Sequence, residues 1–105
     1  MFFRAWCCEA SVRESFQIQK DWSDTILFAT YEAEGYEGHA YVFLIRHNKA
    51  YEVYGSHCSC FGLENQWDPQ ETTIDNLSPP SWLDEKEMEA LRQIVDIAIT
   101  RWGIR

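Results

Sequence analysis

Positive charge is scarce in this chain. Nine Lys and Arg stand against 17 Asp and Glu over 105 residues, for a net charge of −8. A surface of that sign repels phosphate backbones and anionic lipid, which argues against direct binding to nucleic acid or to a membrane. Long apolar runs are missing as well, and none approaches the ~20 residues that span a bilayer. The opening Met1-Phe-Phe-Arg-Ala-Trp-Cys-Cys lacks the basic-then-apolar layout of a secretion signal. A cytoplasmic protein is therefore expected, with its four cysteines kept as thiols. There is no P-loop, no Rossmann glycine pattern and no HExxH, and no nucleophile, base and orienter stand together. No enzymatic activity is expected. Repeats, low-complexity runs and linkers are also absent, so residues 1–105 read as a single domain.

What is present is apolar and aromatic. Hydrophobic residues make up 46% of the chain and aromatics 15%, enough for a core without metals or crosslinks. Rings at that density leave some on the surface, where they mark a contact face. Residues 1–10 receive no assignment. Ser11-Val-Arg-Glu14 has the form of a capping box and predicts a short helix over 11–21, closed by Asp21 and Trp22. Thr25–Tyr31 is rich in β-branched and aromatic residues and predicts a strand. A glycine-punctuated turn over 34–39 leads to Ala40–Arg46, apolar on both faces and hence a central strand. Asn48-Lys49 is the expected hairpin turn, with Ala50–Tyr54 as the third strand. That turn would set Leu44 opposite Val53 and Phe43 opposite Tyr54. Gly55 to Gly62 reads as a tight loop, and Glu71–Leu77 as a weak short helix.

The last helix is the clearest element. Start signals lie at Ser81–Asp84 and Asp84–Glu87, and Gly103 ends it. Met88, Leu91, Val95, Ala98 and Trp102 form one apolar stripe. The fold class is α+β: a three-stranded antiparallel sheet packed against an N-terminal and a C-terminal helix, in the order α-β-β-β-α-α. The α-β-β-β-α order is shared with the double-stranded-RNA-binding domain. That module needs Lys and Arg at a helix start which here reads Asp84-Glu-Lys-Glu87.

The charge is uneven. Between residues 62 and 90 stand Glu64, Asp68, Glu71, Asp75, Asp84, Glu85, Glu87 and Glu89 against Lys86, a net −7. The plainer reading is a solvated face with favourable helix-end charge. The sharper one is an acidic docking surface for a protein with a basic face, since Arg and Lys forks built for phosphate also accept carboxylate. Partner contact is placed on Glu64, Gln66, Trp67, Asp68, Glu71 and Asp75, with Trp67 and Tyr54 on an exposed platform beside the loop. The plainer reading has Trp67 capping the core. A homo-oligomer is compatible with the composition.

His57, Cys58 and Cys60 are the alternative site, holding zinc with Cys7 and Cys8 or supporting thiol chemistry. Their spacing departs from the usual zinc pattern of cysteines two to four apart. Neighbouring cysteines do not easily aim at one ion. His57 and Cys58, adjacent on an extended chain, point to opposite faces. No cofactor is therefore expected, with zinc as the alternative.

Two blocks carry a resemblance: Tyr36-Glu-Gly-His-Ala-Tyr-Val-Phe-Leu-Ile45, and Tyr51 to Thr73 with its core Gly55-Ser-His-Cys-Ser-Cys-Phe-Gly-Leu-Glu64. They resemble small uncharacterised proteins of phages, prophages and bacteria. The resemblance implies no activity. It implies a mobile-element setting, in which a small acidic protein acts as an inhibitor of a host protein, with anti-CRISPR and other anti-defence proteins as the class to test.

Overall fold

The computed structural model describes residues 1–19, 23–34, 37–58 and 62–104. In chain order its elements are β1 (Phe2–Arg4), α1 (Glu9–Phe16), β2 (Asp24–Glu34), β3 (Glu37–Arg46), β4 (Lys49–His57), β5 (Gln70–Thr72), a 3₁₀ turn (Ile74–Asn76) and α2 (Glu85–Trp102). The α+β class stands. The sheet among the described residues has five strands in the order β1-β2-β3-β4-β5, not three. Its first pairing is parallel, Phe2 with Ala29 and Arg4 with Tyr31, and the others are antiparallel.

β3 sits at the centre, and every residue from Ala40 to Ile45 is buried. Side chains alternate across a strand. Ala40, Val42 and Leu44 meet Val12 and Phe16 of α1, with Trp6 and Leu63. Tyr41, Phe43 and Ile45 meet Ala90, Leu91, Ile94 and Ala98 of α2. The sheet therefore buries both faces between one helix and the other. A register shift between Ile26 and Phe28 makes this work on β2. The extra residue there lets Ile26 face α1 while Phe28 faces α2, which strict alternation would forbid.

Several local expectations are corrected. α1 begins three residues earlier than the box at Ser11 implied: Cys8 is the N-cap and Ser11 the third helical residue, its hydroxyl accepting the Cys8 N–H at 3.2 Å. The helix stops at Gln17, which is left-handed at φ 56° and donates its N–H back to Glu14. The expected closure at Asp21 and Trp22 lies outside the described residues. Residues 1–10, unassigned from sequence, supply β1, the buried Trp6 and the cap of α1.

The β3–β4 turn is His47-Asn48, not Asn48-Lys49, because these two residues take the positive φ that a two-residue hairpin requires, 52° and 61°. Register follows: Leu44 faces Tyr51 and Phe43 faces Glu52, two positions from expectation. A slip of two preserves which face each side chain occupies. Gly55 is not a loop residue but a buried member of β4. A Cβ there would stand 2.8 Å from Leu63, so the glycine admits that leucine to the core. Glu71–Leu77 is not a helix: Glu71 lies on β5, and only Ile74–Asn76 turns.

α2 starts and stops where expected, but its buried face is Ala90, Leu91, Ile94 and Ala98, and Met88, Val95 and Trp102 of the expected stripe are only partly buried. Asp84 caps it, accepting the Glu87 N–H at 2.8 Å while Glu87 accepts the Asp84 N–H at 3.1 Å. Gly103 closes it at φ 64°.

Candidate functional site

The site lies at the end of the sheet where β3 begins and β4 finishes. Gly38 pairs with His57 there, and Tyr31 on β2 pairs with Ala40. Gly38 is the permissive residue. A Cβ at this position would fall 2.2 Å from His57 Nε2, so only glycine lets the imidazole fold across β3. The ring reaches Tyr31, whose hydroxyl is hydrogen-bonded to Nε2. The other nitrogen, Nδ1, lies 3.1 Å from the Cys58 carbonyl. A carbonyl only accepts, so Nδ1 donates to it, and the Tyr31 hydroxyl is paired with Nε2. Tyr31 also packs on Trp6 and on the edge of the His57 ring, with centroids 5.1 and 5.7 Å away. Burial pushes the Tyr31 hydroxyl above its ordinary pKa, and the Glu64 carboxylate adds to that.

Around this pair opens a cleft of about 590 Å³, lined by Glu37, His39, Ser56, His57, Cys58, Gly62, Glu64, Asn65 and Gln66. Its floor is held by Gln66. The Gln66 carboxamide accepts the Ser56 N–H at 2.8 Å and donates to the Ser56 carbonyl at 2.7 Å and to that of Gly62 at 3.0 Å. One side chain thereby does at Ser56 what a neighbouring strand would do, beyond the point where β5 ends. Glu64 accepts the Gly62 N–H at 3.2 Å. Among the described residues neither Glu37 nor Glu64 has a cationic partner within ion-pair distance. A second hollow of about 430 Å³ shares Glu37 and His39 and adds Glu32 and Trp82. Arg4 lies 5.3 Å from the Trp82 ring and 3.3 Å from Glu32.

The acidic residues picked from sequence do not form one surface. Glu64 lies in the cleft, on the α1 side of the sheet with Tyr31 and Leu63. Glu85 and Glu89 lie on α2, across the sheet. Glu87 is 1% exposed and faces inward. Asp84 is a helix cap, and Glu71 pairs with Lys49 at 3.2 Å. Asp68 and Asp75 are exposed. Gln66 is committed to Ser56 and Gly62. Trp67 packs against Phe16 at 5.1 Å as a lid on the α1-side core, in line with the plainer reading. Tyr54 is on the other face beside Tyr41, so the expected platform of Trp67 and Tyr54 does not assemble.

His57 and Cys58 do not form a dyad: both ring nitrogens have other partners, and the thiol is exposed. Cys60 lies outside the described residues. No three His, Cys, Asp or Glu groups gather to hold a metal ion among the described residues. Tyr31, Glu37 and Gly38, which help build the cleft, were not singled out from sequence. The available signal was a glycine inside a strand, which marks a close approach. No family model, curated protein or solved structure matches the chain. No helix among the described residues is long and apolar enough to cross a membrane.

Proposed function

We propose that the protein acts by binding another protein, and that the cleft between Glu37 and Glu64 receives a Lys or Arg side chain of that partner. One observation carries this reading: two carboxylates without a cationic partner among the described residues line the same hollow beside two imidazoles, in a chain of net charge −8. A guanidinium or ammonium entering it would find the opposite charge that its own surroundings do not supply. The hydrogen bonds of Tyr31 to His57 and of Gln66 to Ser56 and Gly62 hold part of the cleft in place, which limits the ordering entropy lost on binding.

The contact surface is thus narrower than the run of acids in the sequence. It centres on Glu37 and Glu64. We read the mode of action as non-enzymatic, an inhibitor that occludes a basic surface. The class to test is a host protein that itself binds nucleic acid, CRISPR and other defence factors included, because such proteins display the Arg and Lys forks the cleft would satisfy.

The test is a titration with a short Arg- and Lys-rich peptide, followed by amide chemical shifts. Shifts are expected around Glu37, His57 and Glu64, weakening as salt rises. Glu37→Gln with Glu64→Gln should remove them, and Glu85→Gln with Glu89→Gln should not. Equal losses from both pairs would leave only a diffuse charge effect and end the proposal.

A further inference from the structure

At the start of α1, Cys7 and Cys8 place their sulfurs 3.7 Å apart, with both side chains exposed. Adjacent cysteines were not expected to converge easily on one ion, yet here the two sulfurs lie side by side. Ser11 sets the geometry. Its hydroxyl accepts the N–H of Cys7 and of Cys8, each at 3.2 Å, and donates to the Cys8 carbonyl at 2.7 Å. The backbone of the pair is therefore fixed before any ligand binds.

The spacing discriminates between two uses of a thiol pair. Adjacent Cα atoms lie ~3.8 Å apart, short of the ~4.4–6.8 Å that disulfides span, so a direct S–S bond between neighbours is strained. A tetrahedral thiophilic ion is different. With Zn–S bonds of ~2.3 Å, two ligand sulfurs stand about 3.8 Å apart, close to what the pair already has. Ligation needs thiolates.

Two sulfurs fill half of a tetrahedral shell, and no third ligand gathers with them among the described residues. The pair is exposed, so a second copy of the chain can bring the same two sulfurs to the same ion. We propose that Cys7 and Cys8 are half of an intermolecular four-thiolate site, which takes a zinc-class ion and joins two copies of this protein. The ion would release the thiol protons on binding and form four S–metal bonds, with no oxidant or reductant involved. Two chains of net charge −8 repel each other, so added salt should strengthen this association. That is the reverse of its effect on the cleft.

The test is zinc titration of the reduced full-length chain, read by native mass spectrometry and sedimentation, with cobalt as a spectroscopic stand-in. Expected is one ion per two chains, a doubling of mass, and thiolate-to-cobalt charge-transfer bands. Cys7→Ser and Cys8→Ser should each abolish all three. Cys8→Ser keeps a good helix cap, so circular dichroism should show its fold retained. Cys58→Ser with Cys60→Ser should leave all three readouts intact. No uptake, one ion per single chain, or uptake that survives Cys7→Ser with Cys8→Ser would each overturn the proposal.

Discussion

Arg4 and Glu87, 83 residues apart in sequence, are joined by a guanidinium–carboxylate fork: Arg4 Nη2 and Nε donate to Glu87 at 2.7 and 3.2 Å. Glu87 is almost wholly buried, and it also accepts from the Thr30 hydroxyl and from the Asp84 N–H. One carboxylate thus ties β1, β2 and the start of α2 together. Burial alone would raise its pKa, but the bonds from Arg4, Thr30 and Asp84 hold it below the usual carboxylate range.

Breaking this fork should be costly. Removing one partner of a buried pair leaves the other charge unmatched, which typically costs about 3–5 kcal/mol. Arg4→Ala is therefore expected to lower stability by at least about 2 kcal/mol, since Arg4 itself is partly exposed. Glu87→Ala should cost more. Urea unfolding of each variant measures this, and losses under about 0.5 kcal/mol would show that water replaces the contact freely.

The same group sets a pH dependence. A carboxyl whose folded pKa lies below its unfolded value of ~4.3 stabilises the fold above that value. The stabilisation is lost as pH falls from about 4.3 through the lower, folded pKa. Glu87→Gln should flatten the acid limb of the stability curve, measured by thermal unfolding from neutral pH downward.

At alkaline pH the tyrosines act in the opposite sense. Burial and then the Glu52 charge push the Tyr54 hydroxyl up to about 12. Burial and then its hydrogen bond to Glu52 push Tyr41 up as well, and Tyr31 is raised beside Glu64. Raised values mean that the folded state keeps its protons. Their stabilisation is complete below the unfolded pKa of ~10 and is lost as pH rises, between about 10 and 12 for Tyr54. Tyrosinate absorbance should therefore rise together with the loss of far-UV circular dichroism. Ionisation of all tyrosines well before unfolding would contradict this.

Gly38 governs the cleft. Gly38→Ala should push the imidazole off Tyr31 and lower stability by about 1–3 kcal/mol, as overpacking does. Tyr31→Phe should cost about 1 kcal/mol through the lost hydrogen bond. In the Gly38→Ala background Tyr31→Phe should cost little more, since the bond is already broken. Additive losses would place the two effects apart.

Gln66→Ala removes three hydrogen bonds at the open edge of β4 and should lower stability by about 1–3 kcal/mol. Faster amide exchange at Ser56 than at Glu52, which β5 covers, is the accompanying signature.

Elements governed by local rules were readable. α2 was legible from its capping pair, its apolar stripe and Gly103, because each acts within a few residues. β3 was legible as central because its apolar run serves both faces. The hairpin was legible in kind but not in register, since any of His47, Asn48 and Lys49 could have formed the turn and only the side chains packed across it decide. β1 was not legible. Three residues carry no periodicity, and their parallel pairing with Ala29 to Tyr31 exists only once the sheet is assembled.

The cleft shows the same division. The block around His57 stood out in the sequence, and its acid Glu64 was named, but Tyr31, Glu37 and His39 arrive from other strands. Glu87 shows the cost of reading charge linearly. In sequence it was one acid among eight, yet Arg4 and Thr30 draw it into the interior.

By itself the sequence determined composition, the sign of the charge, the α+β class and the one helix whose start, stripe and stop are all local. The tertiary structure decided which carboxylates meet solvent, where the imidazole lies and which strands flank the sheet. Those outcomes depend on contacts between residues tens of positions apart, which form only when both faces of β3 are covered.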